Sequence, residues 1–185
     1  MSLHNKWIEL LYRVAIGRKK VRILLTPVGA LVFFAFIALF ILLSHLLDDV
    51  LKLTGTFPRP YNFAVSIPIL VVGVLLILWC NIHFLMAKGT PVPLNPPQRL
   101  VVSGPYAFTR NPMLTGLFAV LFGIGILISS ISLMFIFTPL FILLNLIELK
   151  YIEEPELEKR LGEPYMDYKK RIPMFIPRFK AKRFK

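Results

Sequence analysis

The stretch Arg99–Gly116, reading R-L-V-V-S-G-P-Y-A-F-T-R-N-P-M-L-T-G, lies between two long apolar segments. It sets turn residues, an aromatic (Tyr106) and a cation (Arg110) at a membrane surface, where a soluble ligand can meet a lipidic one. A plain anchor needs none of them. Arg110 stands at the start of an apolar segment. It can snorkel to the interface, or offer its planar guanidinium to the carboxylate of a substrate or of a cofactor's amino-acid part. Just past the last apolar segment stand Glu153 and Glu154. Ionisable groups at membrane depth are expensive and usually functional. The pair also stands where it would cap a following helix that has Pro155 at its first position. Glu148, in the last turns of the apolar segment, is either an interface group or an inward partner for Lys150 or Arg110. His4, His45 and His83 show no ligand spacing, and the single Cys80 reads as a buried small hydrophobe, so neither a metal site nor a disulfide framework is expected. No Ser-His-Asp order, Walker loop or Gly-rich βα turn is present.

These residues need elements to hold them. The chain has 185 residues, enough for one domain, and 56% of them are apolar, with a mean hydropathy of +0.69. The apolar residues come in long runs, so the bilayer is their solvent. Residues 1–20 read as an interfacial helix with Trp7, Leu10, Leu11 and Val14 on one face; Met1–Arg22 does not read as a cleavable signal. Ile23–Leu47 and Tyr61–Met86 read as spans, joined by a loop over Asp48–Pro60. Four prolines in Lys88–Pro97 predict an extended, stiff strap. Leu114–Ile128 and Ile131–Ile147 read as a tight helical hairpin turning at Ser129 and Ser130, with Gly116, Gly123 and Gly125 allowing close helix approach. A helix begins at Glu154-Pro155 with Leu157 and Leu161 as its apolar stripe. Gly162 ends it, Pro164 starts another carrying Tyr165 and Tyr168 on one face, and Phe179–Lys185 is a basic tail. The expected fold is all-α: a polytopic membrane helix bundle of about four spans plus interfacial helices. It forms a single domain over 1–185, with the chemistry in 87–185 and two spans in 1–86.

The formal charge of +12 would suggest nucleic acid in a soluble protein. Its placement decides otherwise. Of the 22 Lys and Arg, 20 fall in Met1–Arg22, Ala87–Asn111 or the segment from Glu148, which lie on one side if four segments cross. That is the positive-inside pattern, and it puts both termini in the cytoplasm. The aromatics lie in apolar runs and are not interleaved with the cations, so the expected partners are the bilayer and its anionic head groups, not nucleic acid.

L-V-V-S-G-P-Y-A-F-T-R-N-P-M-L-T-G resembles the pattern L-V-x-x-G-x-Y-x-x-x-R-(H/N)-P-x-Y-x-G. E-E-P-E-L-E-K-R-L-G-E-P-Y-M-D-Y-K-K-R-I-P resembles E-E-x-x-L-x-x-x-F-G-x-x-Y-x-x-Y-x-x-x-V-P. In order and spacing, these two motifs resemble the isoprenylcysteine carboxyl methyltransferase and phospholipid methyltransferase superfamily, over roughly residues 87–177. The resemblance implies S-adenosylmethionine bound at the cytoplasmic face and a methyl group passed to a lipidic acceptor entering from the bilayer. That acceptor is an isoprenylcysteine-like carboxylate or a lipid head group. It implies a cofactor lined by Gln98, Arg99, Leu100 and Val101, with Gly104 and Tyr106 beside it. Asn111, Pro112, Met113 and Leu114 would form a wall at a helix start, and Glu153 would hold a polar group. Arg110, Glu153 and Glu154 are the candidates for catalysis. The chain departs from the pattern at Asn111 (often His), Leu114 (usually Tyr) and Met174 (commonly Arg). Leu149, with Lys150 beside it, stands where the prenylcysteine enzymes carry a substrate-binding Arg. Two other readings remain open: an NADPH-dependent sterol-type reductase, and a non-enzymatic scaffold or transporter. The residues fix neither the acceptor nor the oligomeric state.

Overall fold

A backbone in hydrocarbon must satisfy its own N–H and C=O groups, and apolar runs do so as helices. The computed structural model describes residues 3–53, 58, 60–92, 94–97 and 99–177, and all regular structure among them is helical. In chain order the helices are α1 (Leu3–Ile16), α2 (Lys19–Leu51), α3 (Tyr61–Met86), α4 (Pro112–Leu127), α5 (Thr138–Glu148), α6 (Glu154–Leu161) and α7 (Glu163–Arg171). A single 3-10 turn covers Gly104–Ala107, and π-helical turns precede α5 (Leu133–Phe137) and α6 (Leu149–Glu153). Three helical runs are long and apolar enough to cross a membrane: α2, α3 and the continuous run Leu133–Leu161. The fourth apolar helix, α4, has only 16 residues, about 24 Å at the usual rise.

The run Leu133–Leu161 corrects the expected helix start at Glu154-Pro155. The chain stays helical through Glu153 (φ −71°, ψ −49°) into α6. Proline inside a helix lacks an N–H and collides with the carbonyl four residues back. A π turn widens the backbone ahead of it. Both π turns end two residues before a proline, Pro139 in one case and Pro155 in the other. Pro155, which reads as a helix start, and Pro139 are thus both absorbed by local unwinding.

The helices form two compact units. One comprises residues 33–78 and 113–145. Its core is aromatic: Phe40, Leu121 and Phe141 are buried, with Phe118 and Phe137 against them. The rings meet edge-on, Phe40 to Phe137 at 5.5 Å and Phe118 to Phe141 at 6.1 Å between centroids. α3 and α4 touch backbone to backbone at Gly73 and Gly116. A Cβ on Gly73 would lie 2.7 Å from the Gly116 carbonyl oxygen, and one on Gly116 would lie 2.8 Å from that of Gly73. Gly116 was legible as a contact point; its partner Gly73 was not.

Asp48 also departs from expectation. It reads as part of a polar loop, yet it lies in the last turn of α2 and is buried. Its carboxylate accepts from the Ser130 hydroxyl and from the Ser132 N–H at 2.9 Å, while Ser130 Oγ accepts from Leu133 N–H at 3.1 Å. The N–H groups that open a helix have no partner within it. Asp48 therefore caps the helix starting at Leu133 from another helix. Asp48→Ala is expected to cost about 1–3 kcal/mol, the desolvation penalty of the donors it orphans. Asp48→Asn, which keeps one acceptor, should recover part of the lost melting temperature.

The other unit comprises residues 1–32, 79–112 and 146–185, as far as they are described. Its core gathers Tyr165, Tyr168 and Ile172 with Leu100, Val102, Leu157 and Leu161. The predicted stripe on α6 and the predicted face of α7 thus meet each other. Gly162, at φ +64°, ends α6 in the left-handed region open to glycine. α1 packs along α6 and the π turn before it. Glu9 on α1 is held by Lys159 and by Arg13, the latter at 2.9 Å. Lys159 Nζ also lies 4.3 Å from the centre of the Tyr12 ring. The face expected on α1 is divided: Leu11 turns inward, whereas Trp7 and Leu10 are half exposed. The strap is likewise not extended. Thr90 N–H donates to Asn95 O at 2.9 Å and Asn95 N–H to Val92 O at 2.9 Å, so the chain folds back on itself. Prolines fix φ but leave ψ free to turn. The basic tail lies outside the described residues, as does most of the loop between α2 and α3.

Candidate functional site

The two sequence motifs are bound to one another. The chain leaving α7 passes Pro173 and Met174, whose carbonyls accept from the stretch entering α4. Arg110 N–H donates to Pro173 O at 2.9 Å, Asn111 N–H to Met174 O at 3.1 Å, and Thr109 Oγ1 to Met174 O at 2.7 Å. Tyr168 Oη donates to Tyr106 O at 2.7 Å. Burial raises the Tyr106, Tyr165 and Tyr168 phenols well above their ordinary value, so all three stay protonated.

Arg110 and Glu154 pair directly, with side chains 10% and 5% exposed. Glu154 also takes Lys169 Nζ at 2.6 Å, and Lys169 reaches Glu158 at 2.8 Å. Desolvation alone would lower the Lys169 ammonium; the two carboxylates outweigh it and hold the group above its ordinary value. A second buried pair, Arg160 Nε to Glu156 at 2.6 Å, is tied to the folded strap by Arg160 Nη1 donating to Pro97 O at 2.8 Å.

Between these fastenings lies a cavity of about 120 Å³. Phe84, Arg99, Leu100, Val101, Tyr106, Arg110 and Asn111 contribute one set of walls. Glu148, Glu153, Glu156, Leu157, Arg160, Tyr165 and Tyr168 supply a second set, and Leu11 of α1 a further part. Most residues expected from the sequence thus meet here, brought from both motifs. The others do not line it. Gly104 adopts φ +60° and lies against the His83 ring, Pro112 is buried at the start of α4, and Met113 and Leu114 belong to the other unit. Glu154 is turned into its two ion pairs. Gln98 lies outside the described residues. Sequence reading missed Leu11 and Arg160. An i,i+4 acid–base pair at Glu156 and Arg160 was visible; its reach to Pro97 was not.

Glu148 and Glu153 share the cavity and interact electrostatically. Neither forms an ion pair among the described residues, unlike Glu154 and Glu156. The Tyr106 hydroxyl and Arg110 Nε are buried without a hydrogen-bonding oxygen or nitrogen; the Tyr106 hydroxyl has the Cys80 thiol beside it. Buried polar atoms are ordinarily satisfied, so Arg110 Nε asks for a ligand. Among the described residues no three His, Cys, Asp or Glu side chains gather to hold a metal ion.

Residues 61–164, more than half of the sequence, match the phospholipid methyltransferase family. The chain belongs to that family. Family membership and the long apolar helices make it a multi-pass integral membrane protein, and the family it matches is one of phospholipid methyltransferases. It is also 31% identical over 101 residues to a nickel-cobalt-cadmium resistance protein, NccN, of Alcaligenes xylosoxydans xylosoxydans. That match covers 55% of this chain and 43% of the relative, so less than half of the relative's length is shared. No solved structure matches significantly. The family match takes in Arg99–Gly116 and the acidic segment Glu148–Glu158, and so most of the cavity.

Proposed function

We propose that the cavity binds S-adenosylmethionine from the cytoplasmic side and that the protein passes its methyl group to a membrane-embedded lipidic acceptor. The observation that carries this is the donor set: two carboxylates without an ion pair among the described residues, an arginine, a buried phenol and an apolar wall in one cleft. A ligand with an ammonium, a carboxylate, sugar hydroxyls and an adenine finds a counterpart for each. When bound, the cofactor supplies a sulfonium methyl that is already activated, which leaves the chain to position the reactants and exclude water. Glu153 holds the ammonium or a ribose hydroxyl. Arg99 and Asn111 face the carboxylate, Tyr106 offers its hydroxyl, and Leu100, Val101 and Leu157 keep water from the adenine and the methyl. Arg110 and Glu154 act by holding this wall to α6. The acceptor enters sideways from the bilayer, and both termini face the cytoplasm, as the distribution of Lys and Arg favours. Glu148 and Glu153 disfavour an anionic acceptor and suit a head-group amine. An amine must shed a proton on methylation, and with Glu153 engaged by the cofactor, Glu148 is the carboxylate of the cleft left to take it.

The test is calorimetry of S-adenosylhomocysteine and NADPH on detergent-purified protein, wild type beside Glu153→Ala. Micromolar binding of S-adenosylhomocysteine, weakened at least tenfold by the substitution, is expected. A folded wild type that binds NADPH instead, or neither compound, defeats the proposal.

A further inference from the structure

The cleft is small for what it is proposed to hold. Its volume of about 120 Å³ is below the roughly 300–1,000 Å³ of small-molecule sites, so a wall must give way. The stretch entering α4 is clasped to Pro173 and Met174 through its main chain and to α6 through Arg110. α1 is held to α6 by Glu9 and Lys159. The strap is fastened differently, and Thr90, Pro91, Val92, Pro96 and Pro97 give it a long edge on the cleft. Its two ends meet: a Cβ on Gly89 would fall 2.5 Å from Pro97 Cα. Across the loop, Thr90 N–H and Oγ1 both donate to Asn95 O, at 2.9 and 3.1 Å. Pro91, Pro96 and Pro97 fix their own φ. Short loops whose ends adjoin and whose own groups pack together behave as compact bodies and are frequently functional. The base of this one is pinned where Arg160 Nη1 donates to Pro97 O at 2.8 Å. The tip rests on α2 by apolar contact. At Gly29 of that helix, an added Cβ would lie 2.9 Å from Val92 Cγ1 and 3.0 Å from Leu94 Cδ1. Parting that contact orphans no hydrogen-bonding group.

We propose that the strap is a lid on the cleft. It turns as one body about its base at Gly89 and Pro97, and it lifts the tip bearing Val92 and Leu94 off Gly29 to admit the ligand. Arg160 is the pin of this hinge, and Glu156 holds the guanidinium in place from the same helix. The inference rests on the reading of the cleft as a cofactor site and adds the wall that opens.

The test uses the full chain in detergent and has two arms. In the first, Gly29→Cys is combined with Val92→Cys, positions close enough for a disulfide that holds the tip on α2. The oxidised variant should take up and release S-adenosylhomocysteine at least about tenfold more slowly than the same protein after reduction. Reduction is the control, because it changes the tether and not the sequence. Equal rates in the two forms overturn the lid. The second arm needs no ligand. Spin labels are placed on Pro91→Cys in the strap and Val28→Cys on α2, both exposed, while the native Cys80 is fully buried. Two label separations are expected in the free protein, and S-adenosylhomocysteine should shift their populations. A single narrow separation overturns the lid, whether or not the compound binds. If two separations are found and wild type binds no S-adenosylhomocysteine, the cofactor reading falls and the lid stands.

Discussion

Glu154→Ala should lower stability by about 3–5 kcal/mol, because it leaves Arg110 buried with no counter-charge. At the usual conversion for a chain of this size, the melting temperature falls by roughly 6–20 °C. Arg110 is only 10% exposed and its Nε already lacks a partner, so water cannot readily replace the carboxylate. The loss spreads, since Lys169 gives up one of its two acceptors and the link between the α4 entry and α6 opens. Binding of S-adenosylhomocysteine should disappear with it, because Arg110 and Asn111 wall the cleft. Glu154→Gln keeps the shape and one acceptor and should lose less. The measurement is thermal unfolding in detergent beside calorimetry. An alanine variant that melts like wild type but turns over no substrate would mean that Glu154 acts in the chemistry rather than in the scaffold.

The second large effect is expected at Gly104→Ala. The residue sits at φ +60°, where a side chain costs about 1–2 kcal/mol. The added Cβ would fall 2.2 Å from His83 Nε2, so the ring must move. That ring is anchored by its Nδ1, 3.0 Å from Trp79 O, and forced overpacking of this kind costs about 1–3 kcal/mol. The two terms act on different atoms and should separate in a double variant. His83→Ala in the Gly104→Ala background should restore the packing share and leave the backbone share, read again as melting temperature. If the second substitution restores nothing, the ring contact is not what excludes a side chain at 104. If it restores the packing share, Gly104 stands in the sequence motif for its backbone and its fit to the His83 ring.

Much of the fold was readable because hydrophobic runs and prolines report on local physics. α3 was expected over the residues it occupies, and the hairpin turned at Ser129 and Ser130 as expected. The misreadings came where a residue's partner is distant in sequence. Asp48 reads as loop because its helix-capping partners are Ser130 and Ser132. Pro155 reads as a helix start because nothing nearby announces a π turn. The folded strap depends on Arg160 reaching Pro97 from α6. At the site, Glu153 stood out because a carboxylate is costly at that depth and Arg110 because it opens an apolar segment, whereas Arg99 came only with the resemblance of its motif. Leu11 carried no such mark, being one more apolar residue on an amphipathic helix. The coupling of Thr109, Arg110 and Asn111 to Pro173 and Met174 runs through main-chain carbonyls, which every residue has, so side-chain identity could not disclose it.

The Glu9–Lys159 pair joins residues 150 positions apart, and the carbonyl of Met174 holds the entry to α4. The walls of the cleft therefore meet only after Met174 has been made. A nascent chain that has emerged to Leu149 has already delivered α2, α3, α4 and α5 to the bilayer, yet it lacks Glu153, Arg160, Tyr165 and Tyr168 and the stretch of backbone that clasps Arg110. Integration and closure are separated in the course of synthesis: the polypeptide is housed in lipid before the cleft has its second wall.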